Sequence, residues 1–165
     1  MFLMRVGLIL EREEIIRSLE GLCLPEWEQL PDFGMYMDQL VTYVGRTFPG
    51  ISGRLDLTPS MINNYVKAGL IEKPSGKKYS RDALAQLLMI CLLKLTTPQN
   101  ILRRLLHPED GTETKTMYQT FRVTQERMGS EISRMKNSSA LVCAMESSFL
   151  QLALRLWDES DEKKQ

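Results

Sequence analysis

The stretch that decides how this chain folds is Thr58-Pro59-Ser60-Met61-Ile62-Asn63-Asn64-Tyr65-Val66-Lys67-Ala68-Gly69-Leu70-Ile71. Thr58 followed by Pro59 is a helix start, because a threonine hydroxyl caps free amides and a first-turn proline lacks only an amide that would go unpaired anyway. Gly69 is the matching stop, a residue free to enter the left-handed conformation just past the last turn. Between them Ile62, Tyr65, Val66 and Leu70 recur at helical spacing and set the inward side. Ser60, Asn63, Asn64 and Lys67, at i, i+3, i+4 and i+7, form the opposite stripe. Asparagine can bond adenine N6 and N7 as a pair, and lysine can reach guanine or phosphate. Ser60, Asn63, Asn64 and Lys67 are the candidate base contacts to double-stranded DNA, and the same stripe also suits an ordinary polar, solvated helix face.

Reading outward, Glu72 to Tyr79 carries Pro74 and Gly76 among lysines, the pattern of a short β-hairpin with its turn near Ser75-Gly76. Lys73, Lys77, Lys78 and Arg81 surround that turn and are the expected phosphate contacts. The charge distribution supports them: residues 58 to 106 hold eight basic and two acidic groups, whereas residues 1 to 35 hold three and seven. Ser80 caps the next helix, Arg81 to Leu95, which apart from Gln86 is apolar on nearly all sides from Ala83 to Leu93 and so belongs at the centre of the core. Thr97-Pro98 repeats the cap-and-proline start for a helix to Leu106, closed by His107-Pro108. Ile62, Tyr65, Leu84, Leu88 and Leu102 are expected to share one core.

Upstream, Leu8 to Leu22 reads as an amphipathic helix and Pro25 to Gly34 as an ordered linker anchored by Trp27. Asp38 to Phe48 is a further helix with Leu40, Val41, Val44 and Phe48 inward, and Pro49 to Leu57 is a long turn. Downstream, Thr114 to Lys136 and Ser139 to Glu159 are two longer helices. In the second, Leu141, Met145, Phe149, Leu152 and Leu156 make a continuous seam that either closes the protein's own bundle or joins two subunits, and in a homodimer Met145, Phe149, Leu152 and Leu156 are the expected contacts. The fold class is all-α: an N-terminal amphipathic helix and linker over 1–35, a helical module with a short hairpin over 36–110, a C-terminal helical pair over 111–159 for dimerisation or bundle closure, and a frayed tail over 160–165.

Composition narrows the function. The chain has 165 residues, 43% hydrophobic, with 21 basic and 21 acidic side chains, so no net field draws the whole molecule to nucleic acid or membrane and any such attraction is local. Cys23, Cys91 and Cys143 are odd in number and far apart, which indicates neither a disulfide framework nor a zinc knuckle. His107, the one histidine, sits at a helix end where an imidazole meets free carbonyls. It has no Ser-His-Asp partners and no phosphate-cradling glycine loop, so no catalytic residue, metal or cofactor is assigned. The apolar start Met1 to Leu10 is broken by Arg5 and followed by Glu11, Glu13 and Glu14, and the run Leu87 to Leu93 is too short to span a bilayer. The expected location is the cytoplasm.

The run from Thr58 to Ile71 resembles the recognition helix of the MerR family, in which a Ser-Pro start leads to a Tyr, a Lys and a Gly-Leu-Leu end. Lys77-Lys78-Tyr79-Ser80 is similar to that family's Arg-Arg-Tyr-Ser wing exit, and Leu95 to Leu106 to its next helix. The resemblance covers residues 58 to 106 and implies that 36–110 is a winged helix-turn-helix module, with the short hairpin as its wing, of a DNA-binding transcriptional regulator. It departs at Asn63-Asn64, where the MerR pattern has Arg-Tyr. Leu30-Pro31, Tyr36-Met37-Asp38-Gln39, Met61-Ile62-Asn63-Asn64-Tyr65 and Ala68-Gly69-Leu70 resemble a bacterial family known as domain of unknown function 1836, over most of the chain. A second reading stands beside the regulator: a protein-interaction adaptor that keeps the winged-helix fold, does not bind DNA and uses its apolar seam. The neutral total charge and the missing Arg-Tyr pair favour it, and fold-level likeness does not choose between the two.

Overall fold

A computed structural model describes Arg17 and residues 22–48, 57–107, 111–134 and 140–162. Within those residues the chain is helical. A 3-10 turn at Trp27–Gln29 is followed by α1 (Met37–Thr47), α2 (Pro59–Lys67), α3 (Arg81–Leu93), α4 (Gln99–Leu106), α5 (Thr114–Arg134) and α6 (Ala140–Glu162). The expected all-α class is met. The amphipathic helix expected at Leu8 to Leu22 and most of the long turn from Pro49 to Leu57 lie outside the described residues.

The helix α3 is the axis of the core. Ala83 through Cys91 is an unbroken run of buried residues, as its all-round apolarity requires. Ser80 starts it, its hydroxyl accepting from the Ala83 amide at 3.0 Å. Leu40 and Val44 of α1, Phe48 just after it, Ile62 of α2, Leu102 and Leu106 of α4 and Tyr118 of α5 join one cluster with Leu84 and Leu88, and Tyr65 packs against its edge. Leu24, Trp27 and Leu30 complete it, so the segment before α1 is part of the core. That segment is strapped to α5: the Tyr118 hydroxyl donates to the Pro25 carbonyl at 2.9 Å, Arg122 Nε donates to the Leu24 carbonyl at 3.1 Å, and the Gln125 side chain bonds the backbone of Leu22 and Leu24. Trp27 meets the edge of Tyr118 with ring centroids 6.0 Å apart.

Two local expectations change. At Thr97-Pro98 the threonine does not cap: Pro98 is itself the N-cap, at φ −59° and ψ 151°, and α4 begins one residue later. The Thr97 amide is drawn backward instead, donating to the Leu93 carbonyl at 2.9 Å to finish α3. Between Glu72 and Tyr79 there is a turn but no strand. Ser75 and Lys78 exchange both backbone bonds, at 2.9 and 3.1 Å, around Gly76-Lys77. Gly76, at φ +63°, supplies the positive angle that the first central position of a type II′ turn demands. The ladder stops there, and Tyr79 exchanges backbone bonds of 2.8 and 3.0 Å with Met35 on its other edge.

Candidate nucleic-acid interface

The geometry of α2 follows from its two ends. Thr58 Oγ1 accepts from the Met61 amide at 3.3 Å, and Pro59 fills the first position. At the other end the Gly69 amide bonds the Val66 carbonyl at 3.1 Å and the Leu70 amide bonds the Tyr65 carbonyl at 2.9 Å. That pair of bonds is a Schellman motif, and it requires the positive φ of 67° that Gly69 adopts. Ile62 and Leu70 are fully buried and fix the rotation of the helix about its axis. Ser60, Asn63, Asn64 and Lys67 consequently lie exposed on the other side, one stripe over two turns.

A second anchor holds the end of this helix. His107 Nε2 lies 3.3 Å from the Leu70 carbonyl, so the imidazole does meet a free carbonyl, but that of the turn after α2 rather than of its own helix. Gln86 gives a third. It is buried within α3, its Oε1 accepts from the Glu72 amide at 2.9 Å, and its Nε2 donates to Thr114 Oγ1 at 3.4 Å. One amide thereby ties the strand-like segment after α2 to the start of α5. Its role went unread in the sequence, although a lone polar residue in an apolar helix was the signal that something had to satisfy it.

Of the residues expected at phosphates, Lys73, Lys77 and Lys78 are exposed on and beside the turn. Lys78 Nζ stands 5.4 Å from the Tyr36 ring centroid, and its stem runs over Gly34, where an added Cβ would come within 2.8 Å of Lys78 Cβ. Arg81 is placed differently. Its side chain is 23% exposed, its guanidinium is 3.7 Å from Asp32, and it lies 5.7 Å from the centroid of the Trp27 ring. These contacts turn Arg81 toward the body, where it braces the turn against the 3-10 segment. The turn and that segment border an open cleft of about 710 Å³, whose charged lining is balanced: Lys73, Lys78 and Arg81 against Asp32, Glu72 and Asp82.

Residues 25–121 match the family model described as domain of unknown function (DUF1836). The chain belongs to that family. The matched part of this DUF1836 chain runs from the strapped segment at Pro25 to Phe121 of α5, and so takes in α1 to α4, the exposed stripe and the lysine turn. Helix α6 lies beyond it. No curated protein and no solved structure matches the chain.

Burial pushes the Cys91 thiol up to about 11, which leaves it protonated and unreactive at neutral pH. Burial likewise raises the phenols of Tyr43, Tyr65, Tyr79 and Tyr118, the last most of all. Among the described residues no group of three or more His, Cys, Asp or Glu side chains is arranged to hold a metal ion. No helix among them is long and apolar enough to cross a membrane. On α6, Met145, Phe149 and Leu152 are exposed, whereas the side chain of Leu156 is outside the described ones.

Proposed function

We propose that this protein is a cytoplasmic, sequence-specific DNA-binding regulator of transcription, built on a MerR-like winged-helix core whose wing is reduced to the Ser75–Lys78 turn. The observation that carries the reading is the two-sidedness of α2. Its apolar side is locked into the core by Ile62 and Leu70, its ends are fixed by a threonine cap and a Schellman turn, and its free side is Ser60, Asn63, Asn64 and Lys67. A helix held so rigidly with polar side chains outward is suited to base edges, because little conformational entropy remains to be lost on docking.

Asn63 and Asn64 take the base-reading role, with Ser60 and Lys67 at the edges of the stripe. Lys73, Lys77 and Lys78 neutralise phosphates. Arg81 is left out of the phosphate set, since Asp32 and Trp27 already engage it; its part is to hold the turn in place. The experiment that tests the assignment compares binding to a selected duplex and to random duplex. Asn63→Ala or Asn64→Ala should cost about 1–3 kcal/mol on the selected site and little on random DNA. Lys77→Ala should weaken both alike and lower the magnitude of the salt slope by about one unit. Equal losses on the two duplexes for the asparagine variants would remove α2 from base reading.

A further inference from the structure

The lysines of the turn stand among acids: the cleft that Lys73 and Lys78 border also carries Asp32, Glu72 and Asp82. A cationic surface without that compensation lies where α2 meets α4. Neither helix contains an Asp or Glu, whereas α2 ends in Lys67 and α4 carries Arg103 and Arg104. The two meet through His107, which follows α4 and lies 3.3 Å from the Leu70 carbonyl in the turn that closes α2. Arg103 precedes His107 by four residues, and its carbonyl accepts the His107 amide at 3.1 Å, so the two stand on one edge of α4, a helical turn apart. Lys67 precedes Leu70 by three residues, at the end of the exposed stripe. Arg103 is exposed, because Leu102 and Leu106 take the inward side of α4. No acidic side chain among the described residues pairs with it. Arg104, by contrast, is half-buried and has a contact of its own.

We propose that Arg103 is a phosphate contact to the same DNA that α2 reads, so that α4 joins the lysine turn in holding the backbone. The inference rests on the DNA-binding reading of α2 and deepens it by a second phosphate-holding element. The major groove is about 12 Å wide, so phosphates line both sides of a helix seated in it, and Arg103 stands one turn, about 5.4 Å, along α4 from the contact with the end of α2. A guanidinium suits that place, because its fork offers a phosphate two parallel N–H donors. With no carboxylate beside it on α2 or α4, Arg103 has no ion pair to break before docking. As a fourth neutralised phosphate it takes the salt slope from about −2.7 to about −3.6.

Titration of the full chain against a selected duplex and a random duplex, at about 50 and 200 mM salt, tests it. Arg103→Ala should weaken both duplexes alike and lower the magnitude of the slope by about 0.9, so its deficit against wild type shrinks about 3.5-fold between the two salts. The thermal midpoint should not move, since the side chain is exposed. Combined with Lys77→Ala, the slope should fall by about 1.8. Lys115→Ala removes a cation of α5 that pairs with Glu28 at 3.2 Å, and should leave slope and affinity as they are. A wild-type slope for Arg103→Ala, while wild type binds, overturns the inference and leaves the DNA-binding reading standing. A loss confined to the selected duplex, or an equal fall in slope for Lys115→Ala, overturns it too. Wild-type protein that binds neither duplex at 50 mM overturns the DNA-binding reading and the role of Arg103 with it.

Discussion

The two faces of α2 predict opposite responses to the same substitution. Ile62→Ala removes about three methyl or methylene groups from a fully buried position, which at about 0.8 kcal/mol each is a transfer loss of about 2.4 kcal/mol. The cavity left beside Leu84 and Leu88 adds to it, because α3 is held on all sides and cannot collapse into the space, so the total should be about 3–4 kcal/mol. For a chain of 165 residues that is a fall in melting temperature of roughly 6–16 °C. Asn63→Ala, one position along the same helix but exposed, should change stability by less than about 0.5 kcal/mol. Thermal and urea unfolding followed by circular dichroism measure both. A cost below about 1 kcal/mol for Ile62→Ala, or above about 2 kcal/mol for Asn63→Ala, would mean that the helix is rotated relative to this account, and the exposed stripe would lose its basis.

Two further outcomes follow from buried groups. Cys91 keeps its proton in the folded chain up to about 11 against an ordinary value near 9, so the fold gains stability that is fully present below pH 9 and is lost as pH rises through 11. The loss should reach about 3 kcal/mol, and Cys91→Ala should flatten that part of an alkaline stability curve; an unchanged curve would contradict the burial. Tyr118→Phe removes the bond to the Pro25 carbonyl while keeping the ring, and should lower stability by about 1–2 kcal/mol and speed hydrogen exchange around Leu24 to Leu30. Exchange there matching wild type would show that the strap does not depend on that bond.

What the sequence made legible was local chemistry. Thr58-Pro59, Ser80 and Gly69 each mark a boundary through bonds to residues within five positions, so α2 and the start of α3 could be placed closely. The apolar surround from Ala83 to Leu93 marked the central helix for the same reason. At Thr97-Pro98 the helix begins one residue later than the cap-and-proline pattern indicates, with Pro98 as the N-cap and the Thr97 amide bonded back to Leu93. The segment Glu72 to Tyr79 forms a turn and not the expected hairpin, and the partner of Tyr79 is Met35, 44 residues earlier, which no local pattern announces. A charge count does not show that Arg81, unlike the lysines beside it, lies against Trp27 and Asp32 across the fold. Gln86 and Tyr118, whose partners are 14, 28 and 93 residues away, were equally hidden. The stripe of the candidate interface was readable because one helix carries all of it.

The most direct test of the account is titration of wild-type protein against random-sequence duplex at about 50 and 200 mM salt. In the proposed reading Lys73, Lys77 and Lys78 neutralise three phosphates, for which the expected slope is about −3 and the expected loss of affinity across that range is roughly 40-fold. Binding at the lower salt with a loss of that size or larger is the predicted result. Absence of binding at 50 mM, where the electrostatic attraction is strongest, or an affinity indifferent to salt, would contradict the proposed function and leave the adaptor reading in its place.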